Sequence, residues 1–161
     1  METREKGMDA QAAWKRLAAM CAKAEHCSGE AVEKMRRWGV DERAQAEVMA
    51  RLIEGRYIDD ERFCRAFVAD KLRYNKWGRM KIERALWAKG APKEVYSPIL
   101  AEVTDEEYKA ALAPLLEAKA RSTRAANRYE LSAKLARFAA GRGFDSRIIY
   151  GCLDDMELED G

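Results

Sequence analysis

Catalysis needs a nucleophile beside a base, or a cradle for phosphate, and this 161-residue chain offers neither in a recognisable arrangement. It has one histidine, His26, so any Ser-His or Cys-His system would rest on that residue. No Gly-x-x-x-x-Gly-Lys-Ser/Thr loop occurs, and no Gly-x-Gly-x-x-Gly follows a strand. The nearest approach to a zinc site is Cys21, His26 and Cys27 with the remote Cys64. That spacing is not a knuckle, and Cys21 falls on an apolar stripe with Trp14, Leu17 and Ala24, at core spacing. Asp59-Asp60-Glu61 presents hard oxygen ligands suited to a divalent cation, yet it reads more simply as an acidic helix start favoured by the macrodipole. No catalytic residue, metal ligand or cofactor is assigned, and the chain is read as a non-enzyme.

The basic residues carry more. The formal charge is only +2, from 30 basic and 28 acidic residues, but the charges are segregated. Residues 62–89 hold nine Lys or Arg against Asp70 and Glu83, and residues 117–143 hold seven against Glu117 and Glu130. Acidic charge collects in the last stretch, from Asp154 to Asp160. Arg73, Lys76, Arg79, Lys81 and Arg84 crowd a turn and the helix after it, interleaved with Tyr74 and Trp77. Cations beside aromatics suit a phosphate backbone, unstacked bases or an acidic protein surface. Arg62, Arg65 and Lys71 extend this cluster upstream, and Lys119, Arg121, Arg124 and Arg128 form a second one. These twelve are the candidate contact residues, weighed against a solvated face with the aromatics turned inward.

The elements that must hold these residues are helices. Three Pro and ten Gly among many Ala, Leu, Glu, Arg and Lys favour helix, and no alternating β-branched run or Asn-Gly turn marks a strand. No apolar run approaches the ~20 residues of a membrane span. The first residues lack the apolar core of a secretory signal, and four cysteines are too few for a disulfide scaffold. The chain reads as an all-α, cytoplasmic protein with reduced thiols.

Gly39, Gly90 and Gly143 anchor an internal repeat. Five residues after them stand Ala44, Val95 and Ile148; nine and ten after stand Val48-Met49, Ile99-Leu100 and Cys152-Leu153. Thirteen after stand Leu52, Val103 and Met156, and eight before stand Ala31, Ile82 and Leu135. Steps of four place one apolar stripe on a helix in each repeat, and each glycine suits a helix stop with positive φ. The periodicity predicts nine helices, at 9–25, 28–38, 41–54, 60–74, 79–89, 92–103, 105–126, 128–141 and 145–156. Ser28 is the expected cap of the second, Asp59 or Asp60 of the fourth, and Thr104 with Glu107 forms a capping box. Pro92 falls in a tolerated position, whereas Pro98 and Pro114 should kink or split their helices. The expected organisation is a flexible start (1–8), three three-helix repeats (9–56, 57–103 and 104–158, the last ending in an acidic tail), and an elongated array.

Tyr57-Ile-Asp-Asp-Glu-Arg-Phe63, followed by Lys76-Trp-Gly-Arg79, Ile82, Leu86 and Lys89-Gly90, resembles the central repeat of RecX proteins, bacterial regulators of the RecA recombinase. Cys21-Ala-Lys-Ala-Glu25, Lys34-Met-Arg-Arg-Trp-Gly39, Lys134-Leu-Ala-Arg-Phe138 and Arg142-Gly-Phe144 extend the resemblance over about residues 10–156. Cys64 departs from it, standing where a small alanine is more usual. The resemblance implies three tandem three-helix repeats without a catalytic residue. It also implies a protein that lies in the groove of the RecA–DNA filament and lowers ATP hydrolysis and strand exchange, and so regulates recombination and repair. It supplies no invariant contact set, so the twelve cations above rest on charge alone. The expected partner is the RecA filament, with DNA contacted indirectly or weakly, no membrane, and a monomeric chain. Direct nucleic-acid binding and a plain helical scaffold remain open as other readings.

Overall fold

A computed structural model of the chain describes residues 7–156 and residue 158. Among these, regular structure is entirely helical: α1 (Ala10–Lys23), α2 (Ser28–Arg37), α3 (Glu42–Glu54), α4 (Asp60–Arg73), α5 (Arg79–Ala88), α6 (Lys93–Glu102), α7 (Asp105–Ser122), α8 (Arg128–Gly141) and α9 (Ser146–Asp155). The protein is all-α, and the helices follow the repeat read from the sequence. The positions eight before each anchor glycine, Ala31, Ile82 and Leu135, are buried in all three repeats, as are Val48, Ile99 and Cys152 nine after.

Local chemistry sets the helix ends. Asp9, Asp41, Asp59 and Asn127 accept backbone N–H bonds from Ala12, Ala44, Arg62 and Glu130 at 2.8–3.0 Å. Thr104 and Glu107 close their capping box at 3.2 Å in both directions. Ser28 is not a cap: it is the first residue of α2, behind the cap residue Cys27, whose N–H donates to Glu30. The Ser28 N–H and hydroxyl instead donate to the Asp60 carboxylate at 2.7 and 2.6 Å. That leaves Asp59 to cap α4. Helix α7 ends at Ser122, short of the expected 126, because the Ser122 and Thr123 hydroxyls fold back onto the Lys119 carbonyl and end the turn. Pro98 and Pro114 split neither α6 nor α7. Both are exposed, so water can satisfy the carbonyl that each proline leaves without a donor.

The chain divides into two compact units, residues 1–66 with 86–96, and residues 67–85 with 97–161. Within the first, Ala13, Leu17, Ala31, Met35, Val40, Val48, Leu52 and Ile58 form a core, with Trp14 and Trp38 packed against it. Within the second, Tyr108, Leu112, Leu116, Leu135, Phe144, Ile148, Ile149 and Leu153 form another. No polar or charged residue is fully buried among the described residues.

All three anchor glycines adopt positive φ, +73° at Gly39, +78° at Gly90 and +91° at Gly143. Each ends its helix in a Schellman turn. The glycine N–H donates to Arg36, Trp87 or Ala140, and the following N–H of Val40, Ala91 or Phe144 reaches Met35, Leu86 or Ala139, at 3.0–3.3 Å. The residues that this second bond joins are buried apolar side chains in every turn: Met35 and Val40, Leu86 and Ala91, Ala139 and Phe144.

Each of these turns is pressed against a second glycine. A Cβ built on Gly7 would lie 1.9 Å from the Gly39 carbonyl oxygen, one on Gly29 would lie 2.2 Å from that of Gly90, and one on Gly78 would lie 2.4 Å from the Gly143 carbonyl carbon. The carbonyl before each anchor glycine accepts a bond from the opposing segment: Trp38 from the Met8 N–H at 3.0 Å, Lys89 from the Cys27 thiol at 3.3 Å, Arg142 from the Gly78 N–H at 2.9 Å. One seam recurs three times, and it admits no side chain.

Gly78→Ala is therefore expected to lower stability by more than ~2 kcal/mol, since backbone on both sides must move. Gly141→Ala, whose Cβ meets nothing within 4 Å, should gain up to ~1 kcal/mol from helix propensity. Urea unfolding followed by circular dichroism checks both; equal effects would contradict the seam.

Candidate partner-binding surface

The second unit gathers cations around two aromatic rings. Helix α4 ends at Arg73, and the chain turns through 74–78 before α5 begins at Arg79. Within that turn the Trp77 N–H donates to the Lys71 carbonyl at 3.1 Å, which holds the indole beside the end of α4. Lys71 Nζ then lies 4.9 Å from the Trp77 ring centroid and Lys81 Nζ 4.7 Å. Each such contact contributes about 0.5–1 kcal/mol at an exposed site and leaves the other ammonium protons free to bond. The first turn of α5 carries no acidic residue of its own.

Arg142, the residue before the third anchor glycine, locks this turn. Its Nε donates to the Lys76 carbonyl at 3.1 Å, and its Nη2 donates to the Asn75 carbonyl. Lys76 sits at φ +56°, a left-handed conformation costly for a residue with a Cβ. The guanidinium also lies 5.9 Å from the Phe138 ring, which Lys119 Nζ approaches to 5.2 Å from α7. Lys81, Trp77, Lys71, Lys76, Arg142, Phe138 and Lys119 thus form one continuous basic and aromatic surface.

That surface joins residues from both charge clusters, but not all twelve candidates belong to it. Arg79 is committed inward: its guanidinium bonds both Asp145 oxygens at 3.0 and 2.7 Å and Glu83 at 2.8 Å, so its charge is spent on fixing α5 to the start of α9. The Asp145 bond raises the Arg79 pKa further still. Arg62 bonds Glu25 at 3.0 Å and the Arg56 carbonyl at 3.1 Å, and Arg65 pairs with Glu61 at 3.1 Å; both lie in the first unit. Arg73 and Arg128 lie over their neighbours Tyr74 and Tyr129 on exposed surface, where Arg84, Arg121 and Arg124 also stand. Arg142, Phe138 and Asn75 were absent from the candidates. Arg142 had a signal, its place before an anchor glycine; the left-handed Lys76 had none.

Two family models match the chain: the second three-helix domain of RecX over residues 59–96 and the third over residues 105–153. The chain belongs to the RecX family. A regulatory protein RecX from Lactobacillus johnsonii is 27% identical over 130 residues, covering 81% of this chain and 48% of that protein. Another RecX, from Chlorobium limicola, is 29% identical over 126 residues, covering 77% of this chain and 76% of its own length. The chain spans about half the length of the first curated relatives it matches. A crystal structure of RecX from Lactobacillus salivarius superposes with a TM-score of 0.83 at 19% identity, covering 91% of this chain and 96% of that one. The shared RecX fold is three tandem three-helix repeats.

Of the grouping weighed as a zinc site, Cys27 and Cys64 are buried, Cys21 is partly exposed, and His26 lies 3.7 Å from Glu30. Burial pushes the Cys27 and Cys64 thiols up to about 11, which keeps both protonated and poorly nucleophilic at neutral pH. Asp60, weighed as a cation ligand, is engaged by Ser28. No helix among the described residues is long and apolar enough to cross a membrane.

Two measurements follow. Native Cys27 and Cys64 should react with a disulfide reagent at pH 8 far more slowly than in the unfolded chain; reaction at the unfolded rate would contradict their burial. In a double-mutant cycle, Arg142→Ala should cost less stability in a Lys76→Gly background than in the parent, because glycine removes the strain that Arg142 holds. Additive costs would contradict that coupling.

Proposed function

We propose that this chain binds the filament formed by RecA on DNA and lowers its ATP hydrolysis and strand exchange, and so regulates recombination and DNA repair in the cytoplasm. Membership of the RecX family supports the choice of partner. The observation that carries the reading is the surface of the second unit, where Lys71, Lys81, Arg142 and Lys119 are held around Trp77 and Phe138. A filament groove is lined by protein and by DNA phosphate, and repeats the same site along its length. Cations fixed on rings meet such a groove with little side-chain entropy left to lose, and several weak contacts in series multiply. The chain acts as a monomer, without a cofactor, by binding one filament state more tightly than another. Nothing in this reading requires contact with the nucleotide.

Direct nucleic-acid binding is the second reading, favoured by one observation: two ammonium groups gather at the Trp77 ring, the mix of cation and aromatic that phosphates and unstacked bases call for. Titration of RecA's single-strand-dependent ATP hydrolysis separates the two. Suppression is expected at well below one molecule per RecA protomer, weakening as salt rises. The Lys71→Glu, Lys81→Glu double variant should lose at least about tenfold in potency with its helicity intact. Suppression only when the protein rivals the DNA in concentration would establish the nucleic-acid reading instead. An undiminished double variant would remove this surface from the account.

A further inference from the structure

We propose that a groove in the first unit, between α2 and the end of α5, binds an acidic peptide segment that carries a large apolar side chain. This goes beyond the filament reading and uses different residues. The groove has a volume of about 700 Å³, within the range of built ligand sites, and Val32 and Ala88 contribute its apolar lining.

Trp87 is the anchor. It lines the groove and is 72% exposed, although an indole of this size is among the most rewarding side chains to bury. The backbone that carries it is fixed: the Trp87 carbonyl accepts the Gly90 N–H at 3.0 Å in the Schellman turn. The two walls are locked to each other as well. Gly29 of α2 meets Gly90 in a seam where a Cβ would lie 2.2 Å from the carbonyl oxygen, and the Cys27 thiol donates to Lys89 at 3.3 Å. The ring therefore stands in a preformed groove, which lowers the cost of binding.

Charge selects the partner. Glu30 is engaged by the Cys27 N–H at 3.1 Å and by Lys89 at 3.6 Å, and Glu33 pairs with Arg37 at 3.3 Å. Lys34 and Arg36, on the same rim, have no ion pair among the described residues. The surplus is positive but local, and two carboxylates interrupt it. Where Glu30 and Glu33 already pair with Lys89 and Arg37, a continuous phosphate backbone meets balanced charge and gains little. A peptide can place a carboxylate at Lys34 or Arg36 and an apolar side chain on Trp87, which fits a mixed-sign rim around an aromatic anchor.

The test uses the full chain with nitrogen-labelled indoles, whose four signals are assigned by single Trp→Phe variants. The probes are a short blocked peptide of alternating glutamate and leucine, the same peptide with serine for leucine, and a short oligothymidylate. The leucine peptide should shift the Trp87 indole and amides in 33–37 and 87–90. Trp87→Ala and Arg36→Glu should each weaken its binding about tenfold, as expected of an anchor and its charge partner. The proposal is overturned if the Trp87 signal stays put, if the serine peptide binds as well, or if the oligothymidylate moves that signal more strongly. RecA is absent from the assay, so failure of the filament reading would leave this result standing.

Discussion

Backbone meeting backbone at a pair of glycines is the constraint on which this molecule depends. A helix ends in a left-handed glycine, the turn exposes the carbonyl before it, and an opposing segment, brought close at its own glycine, donates to that carbonyl. Gly39 with Gly7, Gly90 with Gly29 and Gly143 with Gly78 all obey this arrangement. Each contact demands φ > 0 on one side and the absence of a side chain on the other, and both demands exclude every residue but glycine at low cost. Hydrophobic burial drives the helices together, but it is tolerant of sliding. The seams remove that tolerance.

The two proposed binding surfaces are held in place by the same contacts. At the third seam, Arg142 gives its carbonyl to Gly78 and its side chain to the Asn75 and Lys76 carbonyls, so a single residue ties the helix stop to the turn carrying Trp77. Lys71 and Lys81 are then fixed on the ring rather than left to wander in solvent. At the second seam, Gly29 and Gly90 set the walls beside Trp87. Positions that look like spacers in the chain thus place the charged and aromatic groups a partner would meet.

Much of this was legible in the sequence, for identifiable reasons. Helices, their caps and the anchor glycines are local: Thr104 finds Glu107 three residues away, and a left-handed stop needs only the residues around it. The opposing glycines were not legible, because each is defined by a partner far along the chain. Arg79 shows the same limit from the other side. Its position among cations and aromatics suited a contact residue, while the Asp145 that claims it stands 66 positions on. Ser28 had the chemistry of a cap, and lost that role because Asp60, remote in sequence, took its hydroxyl. Charge clusters marked the segments where cations gather; only the fold sorted which of them are paired.

The central claim is that a RecX-family chain meets the RecA filament through the basic and aromatic surface of its second unit. Hydrogen–deuterium exchange of this chain, free and bound to filaments assembled on single-stranded DNA with a slowly hydrolysed nucleotide, tests it most directly. Slowed exchange is expected, concentrated in residues 71–84 and 119–142. Tight binding with exchange in both segments unchanged would contradict it.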